Sequence, residues 1–259
     1  MIRRPPRSTL DRSSAASDVY KRQVYMLGGG PANSYMVEFK DWVAVFEAPI
    51  NEKRSLAVIE EVVKLAPNKP IRWLINSHVH FDVIGGLRTY LHIGSTIITH
   101  RKNIAMLNRD VLKYRTQHIE PDITSIWPPT ELAEGYNYEA INENFVITDN
   151  ERILRVYYVQ PLGHVQGMLM AYLPEEKIAF QADLFNTHEP PPAEATPAMQ
   201  TFFNQIHRMS LDIETIAPVF GNPVPYSEFV EAMGEDARLC ETVISGGAVG
   251  MVPCGEIDH

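Results

Sequence analysis

A buried strand that runs straight into a cluster of polar side chains constrains this chain more than any other feature. Ile71 to Asn76 reads IRWLIN, an almost continuous apolar run, and the next ten residues are SHVHFDVIGG, Ser77 to Gly86. A short apolar run of this length, rich in β-formers, is a strand. His78 and His80 stand two apart, so in extended backbone they share one side, and Asp82 is expected to continue that face. Gly85 and Gly86 close the segment. Two imidazoles and a carboxylate in an apolar turn would be costly without partners, which points to a metal ion as the shared partner.

The rest of the chain supplies matching ligands. His164 lies in QPLGHVQGM, between glycines just after a strand, and Asp183 lies in FQADLF, at another strand's C-terminal end. In layered α/β architectures that end is where functional loops gather. The remaining histidines carry no such context. His92, His100, His118, His188 and His207 read as surface or satisfied core residues, and His259 as a terminal one.

The elements around these residues alternate. VYMLG, NSYMVEF and WVAVFEAP read as strands, followed by a helix over Asn51–Pro70 with Leu56, Ile59, Val62, Val63 and Leu65 at helical spacing. After the cluster come a short helix in GGLRTYLHIG, a strand in STIITH and a helix over 101–115. An irregular, proline-containing stretch runs from there to about Asn144. FVITDN, RILRVYYVQP, MLMAYLP and EEKIAFQAD read as strands, FNTHEPPPAEATPAM as a stiff loop, FFNQIHRMSLDI and SEFVEAMGEDARLC as helices, and TIAPVFG as a short strand. Two βα-rich halves of similar length predict two packed sheets with helices outside them, in one domain over 24–236.

Composition excludes other classes. With 259 residues, 45% hydrophobic and 21% charged, the chain is an ordinary globular protein. No run approaches the length of a membrane span. The net charge of −9 argues against nucleic acid as a partner and leaves a small molecule as the expected one; oligomeric state stays open. A soluble protein of the cytoplasm or periplasm is expected. Cys240 and Cys254 read as two unpaired thiols, with the redox compartment undecided. Residues 1–23 carry six Lys/Arg against two Asp and no apolar run, so they are not a secretory signal. They resemble translated adapter sequence from assembled sequencing reads and are expected to lie outside the fold, with the natural frame starting near Val24. Residues 237–259 lack periodicity and are expected to form an irregular, truncated tail.

From Val24 to Asp236 the chain resembles the metallo-β-lactamase superfamily. The family signature is His-x-His-x-Asp-His followed by Gly-Gly, then a distant His, a distant Asp and a final His-Gly. Here these fall on His78, His80, Asp82, Gly85 and Gly86, then His164, then Asp183. The resemblance implies an α+β fold, an αββα sandwich of two mixed β-sheets with helices on the outer faces. It also implies one or two zinc ions, or iron, and hydrolysis of esters, lactones, thioesters, amides or phosphoesters.

Two positions depart from that signature. Val83 stands where the family has the histidine after the aspartate, and Phe220, in VFGNP, where it has the final histidine. Each change takes two base substitutions, so reading errors do not account for both. Both histidines belong to the family's second metal site, whereas His78, His80, His164 and Asp183 keep the first. The second site is expected to be empty, or weakly filled through Asp82, Asp183 and water, since neither valine nor phenylalanine donates a lone pair.

The resulting expectation is a mononuclear zinc hydrolase acting on a small ester, lactone, thioester or β-lactam. Asp82, freed of a second ion, would orient the water or act as general base, and Asp183 would ligate directly or support the site from behind. Two alternatives stay in view: an Fe(II) enzyme resembling the sulfur dioxygenases of the family, and a non-catalytic binding module. The loop from Phe185 to Met199 and the stretch from Gln117 to Asn144, with Trp127, Tyr136 and Phe185, are the expected pocket walls.

Overall fold

The computed structural model describes residues 16–21, 23–112, 121–127, 137–160, 163, 165–243 and 249–253. His164, His118, Tyr136, Cys254 and His259 lie outside the described residues. The elements in chain order are β1 (Ala16–Lys21), β2 (Val24–Gly28), β3 (Ser34–Glu38), β4 (Val43–Phe46), α1 (Glu52–Leu65), β5 (Ile71–Ile75), α2 (Phe81–Ile84), α3 (Leu87–His92) and β6 (Thr96–His100). There follow α4 (Ile104–Met106), α5 (Ile123–Ile126), β7 (Tyr138–Ile141), β8 (Asn144–Thr148), β9 (Ile153–Tyr158), β10 (Leu169–Leu173), β11 (Ile178–Gln181) and α6 (Pro197–Arg208). The last elements are β12 (Thr215–Pro218), β13 (Val224–Pro225), α7 (Tyr226–Met233), β14 (Leu239–Val243) and β15 (Val249–Pro253).

Two mixed sheets carry the fold. The first runs β1-β2-β3-β4-β5-β6-β7, antiparallel as far as β4 and parallel from there on. The second runs β13-β12-β11-β10-β9-β8, antiparallel except for the parallel β11–β12 pair. The facing sides of both sheets meet in one core. Leu169, Ala171 and Leu173 of β10 point into it with Ile178 and Phe180 of β11, opposite Tyr35, Val37, Val45 and Leu74. The alternate residues Met170, Tyr172 and Ala179 face the other way, into a second core under α6 and α7 built on Phe202, Phe203, Ile206 and Phe229. A period of two with both faces buried marks a strand covered on each side. The αββα sandwich expected from the sequence is therefore the observed fold.

Helix α1 follows its capping chemistry. Asn51 accepts the Arg54 N–H at 3.0 Å, Glu52 occupies the first turn and Lys64 the last. The expected apolar stripe is displaced, however. Leu56 and Val63 are 41% and 57% exposed, whereas Val62 of that stripe is buried as expected, together with Arg54, Ser55 and Val58. Two contacts rotate it. The Arg54 guanidinium donates to the carbonyls of Gly28 and Leu27, and the small Ser55 side chain meets the backbone of Gly86.

Four other elements differ from expectation. Residues 16–21, expected outside the fold, form β1 against the open edge of β2, a position that any extended segment with β-formers such as Val19 and Tyr20 can take. Residues 239–243 and 249–253, expected in an irregular tail, pair as the antiparallel strands β14 and β15. The helix expected over 101–115 starts as a tight turn and passes through α4 into a wide turn over Leu107–Leu112. The irregular stretch beyond it contains α5 and the parallel strand β7, in which only Ile141 is fully buried. Among the described residues no helix is long and apolar enough to cross a membrane.

Candidate metal centre

The β5 strand ends at Ile75, and its continuation delivers Asn76, Ser77 and His78 to the sheet's C-terminal edge, all fully buried. His80 is the last extended residue, capping α2 with its carbonyl as acceptor for the Val83 and Ile84 N–H groups at 3.1 Å. Opposite them, Asp183 lies two residues past β11 in the left-handed region, with φ +62°. Aspartate tolerates this backbone better than most side chains. The turn is stapled by the buried Gln181, whose Oε1 accepts the Leu184 and Phe185 N–H groups at 2.9 and 3.2 Å while its amide donates to the Phe185 carbonyl.

These segments bring His78, His80 and Asp183 together. Asp183 Oδ2 is 3.1 Å from His78 Nε2 and 3.8 Å from His80 Nδ1, and the two rings meet edge to face at 4.5 Å. The ligand atoms of all three lie within 4.8 Å of one another, so the group could hold a metal ion. Ligands ~2.0–2.1 Å from a tetrahedral ion stand roughly 3.3 Å apart, and the donor set of two imidazoles and a carboxylate suits zinc or iron. The residues fit the ion.

The other expected site residues take separate places. The extended register stops at His80, so Asp82 does not continue the histidine face; it sits exposed in the first turn of α2 and is not part of the three-residue group. Val83 is fully buried in the main core, and Phe220 is half-buried against it with the His188 ring 6.1 Å away. Neither can act as a ligand. The two glycines have a steric role. A Cβ on Gly85 would stand 2.1 Å from the Ile50 carbonyl oxygen, and one on Gly86 1.8 Å from Ser55 Oγ. Both keep α2 pressed on Ala48–Asn51, where the Gly86 N–H donates to Ala48 at 2.9 Å and the Ile50 N–H to Asp82 at 3.1 Å.

Two of the other described histidines, His100 and His207, serve packing. His100 bonds the Asn142 carbonyl and the Lys102 N–H and stacks on Tyr158, and burial lowers its pKa. His207 packs on Phe203, and burial lowers its pKa too.

The sequence reading passed over Glu47. It ends the apolar run VAVF, is fully buried, and holds φ +71° one residue past β4. An acid directly after four apolar strand residues was the available signal. Its Oε1 accepts the Ser77 N–H at 2.5 Å, and Oε2 lies 3.4 Å from Asn76 Nδ2. Burial outweighs these hydrogen bonds and pushes the carboxyl up to about 8, with Asp183 adding a further rise. A cation at the three-residue group would draw it back down. Without an ion, the folded chain keeps the Glu47 proton between about pH 4.5 and 8 while the unfolded chain has lost it. Stability should therefore fall as pH rises through that window, and flatten in Glu47→Gln. Calorimetry of the metal-free protein across the range checks this.

Comparison with known proteins identifies the family and the fold. The sequence profile described as "Metallo-beta-lactamase superfamily" matches residues 27–226. The chain belongs to the metallo-β-lactamase superfamily. Among solved structures, a metallo-β-lactamase from Pontibacter korlensis superposes with a TM-score of 0.65 at 13% identity, covering 85% of this chain and 97% of the other. The metallo-β-lactamase FIM-1 from Pseudomonas aeruginosa, in its mono-zinc form, gives 0.62 at 18% identity, covering 85% and 93%. At these identities the likeness is one of fold. No curated protein matches. Membership of the superfamily, together with a group able to hold a metal ion, supports a metal-dependent hydrolase.

A cavity of about 780 Å³ opens between the loop from Phe185 to Ala195 and the segment from Val224 to Asp236. The expected loop thus walls a cavity, but none of the three grouped side chains lines it, and Trp127 lies elsewhere, exposed.

Proposed function

We propose that the protein is a hydrolase that uses one metal ion, zinc, held by His78, His80 and Asp183 with His164 completing the set, against a small ester, lactone, thioester or β-lactam. The observation that carries this reading is the convergence of two imidazoles and a carboxylate on one point. An ion there lowers the pKa of a water from 15.7 to about 7 and so supplies a nucleophile at neutral pH. A single-ion state has a parallel in the mono-zinc form of FIM-1. Neither Val83, buried in the core, nor Phe220 supplies a nitrogen ligand for a second ion.

Asp82, exposed in the first turn of α2 and outside the ligand group, is the carboxylate we assign to proton transfer from the attacking water. General-base catalysis contributes about 10²–10⁴-fold. Asp82→Asn should therefore keep its bound zinc and lose rate on that scale, read as kcat beside elemental analysis of the same sample. Loss of zinc in parallel with rate would make Asp82 a ligand instead. The reading as a whole is tested by assaying zinc-loaded protein on a panel of lactones, thioesters, esters and β-lactams. Zinc-dependent turnover of at least one class is expected; a zinc-loaded protein inert on all of them would point to a binding module.

Two histidines with one carboxylate also form the facial set of non-haem Fe(II) enzymes, and that same observation favours a second reading as an oxygen-using enzyme. Oxygen uptake by Fe(II)-loaded protein with a persulfide substrate, absent from the zinc form, would select it.

A further inference from the structure

Two of the expected ligands follow strands of different sheets. His78 comes after β5 of the first sheet, and His164 belongs to the connection between β9 and β10 of the second. A buried side chain joins those two segments. Asn103, in the tight turn after β6, is only 2% exposed, and its amide has two protons to give. One goes to the Gly167 carbonyl at 2.9 Å, inside the β9–β10 connection, and the other to Thr99 Oγ1 at 3.2 Å. A carbonyl only accepts, so this amide's orientation is fixed. The Thr99 hydroxyl passes its own proton to Asn76 Oδ1, 3.3 Å away, and the Asn76 amide donates to the His78 carbonyl at 2.7 Å and toward Glu47 Oε2 at 3.4 Å. Thr99 and Asn76 are fully buried. An unbroken run of hydrogen bonds therefore leads from the backbone of Gly167 to the backbone of His78.

The fit at Gly167 is close. The residue is buried with φ +80°, and a Cβ there would stand 2.4 Å from Asn103 Oδ1. The same end of the connection is held by the Val159 N–H, which donates to Met168 at 2.9 Å, and by the Leu169 N–H, which donates to Ser77 at 2.8 Å. We propose that Asn103 is a positioning residue of the metal centre: by tying the β9–β10 connection to the strand end that carries His78, it sets where His164 meets the other ligands. This rests on the reading of His164 as a metal ligand, and it adds what holds that ligand's connection in place. Hydrogen-bonding partners behind metal ligands typically change affinity by about 10–100-fold, and a partner acting through the backbone belongs at the lower end, about tenfold.

The test measures zinc affinity, by competition with a chelating indicator, for the wild type, Asn103→Ala, His164→Ala and the double variant. Asn103→Ala should lose about tenfold in the wild-type background and less than about twofold when residue 164 is already alanine, because no ligand on the connection is then left to position. A merely structural role would cost the same factor in both backgrounds. That result would overturn the proposal, as would wild-type affinity in Asn103→Ala. Should that variant not fold, the contact can be disturbed from its other side. Gly167→Ala pushes on Asn103, whereas Gly94→Ala imposes a nearly equal φ of +84° with nothing among the described residues within 4 Å. Affinity should fall in the first and hold in the second; equal affinities would overturn the proposal. A further readout needs no metal. In Asn103→Ala the Leu169 N–H should exchange with solvent about tenfold faster, the scale of one lost buried hydrogen bond, while the amides pairing β3 with β4 keep their protection. Equal loss at both places would mean that Asn103 supports the fold at large and does not position the connection. Unchanged zinc affinity in His164→Ala would remove the ligand, and the proposal with it. A wild-type chain that binds no zinc ends the functional reading, and the exchange pattern still decides whether Asn103 holds the connection.

Discussion

His78→Ala is expected to remove metal binding altogether, taking bound zinc per chain from about one to near zero in protein that remains folded. His78 is the most buried of the three grouped residues, and its Nε2 is the nitrogen closest to the Asp183 carboxylate. Removing it leaves one half-exposed histidine, His80, and one carboxylate among the described group, too few neutral donors to hold an ion against water. The fold should survive, because His78 lies at the end of β5 and belongs to neither apolar cluster. Elemental analysis and a thermal melt on the same preparation check both halves. A variant that keeps a full equivalent of zinc would show that the ion sits elsewhere.

Gly85→Ala is expected to have the largest effect on stability. A Cβ there would lie 2.1 Å from the Ile50 carbonyl oxygen and 2.6 Å from its carbon, both backbone atoms that cannot swing aside. Either α2 lifts from Ala48–Asn51, losing the hydrogen bonds of Ile50 to Asp82 and of Gly86 to Ala48, or the loop before α1 moves. Overpacking typically costs about 1–3 kcal/mol, and contact with rigid backbone places this case at about 3 kcal/mol or above. Gly163→Ala is the matched control, because nothing among the described residues lies within 4 Å of its Cβ position. Chemical denaturation should show a large loss for the first and about 0.5 kcal/mol or less for the second. Equal behaviour would mean that the glycine pair does not hold α2 in place.

How far the sequence reveals this structure depends on the kind of signal. The strands around the site were legible because an apolar run such as IRWLIN or IAFQ has few alternatives, and β5 and β11 lie where those runs are. The meeting of His78, His80 and Asp183 was legible because all three follow strand ends that one sandwich brings to one edge. Asp82 stands outside the three-residue group because the two-residue period ends at His80, where the chain turns into α2. The stripe of α1 failed for a related reason. Spacing alone does not tell Leu56 and Val63 from Val58, and the choice was made by long-range contacts of Arg54 and Ser55. Strand β7 was missed because YEAI has a single fully buried residue and takes its structure from pairing with β6. Glu47 and its network were invisible for the same reason, since they join residues 47, 76, 99, 103 and 167 only after folding.

The central claim is that one ion is bound where the superfamily can hold two, because Val83 is committed to the core and Phe220 offers no donor. Its most direct test is to load the purified protein with excess zinc, remove the free ion by gel filtration and count the metal per chain by elemental analysis. The account predicts about one zinc per chain. Two would contradict it by revealing ligands that replace the missing histidines, and none would remove the metal centre on which the proposed activity depends.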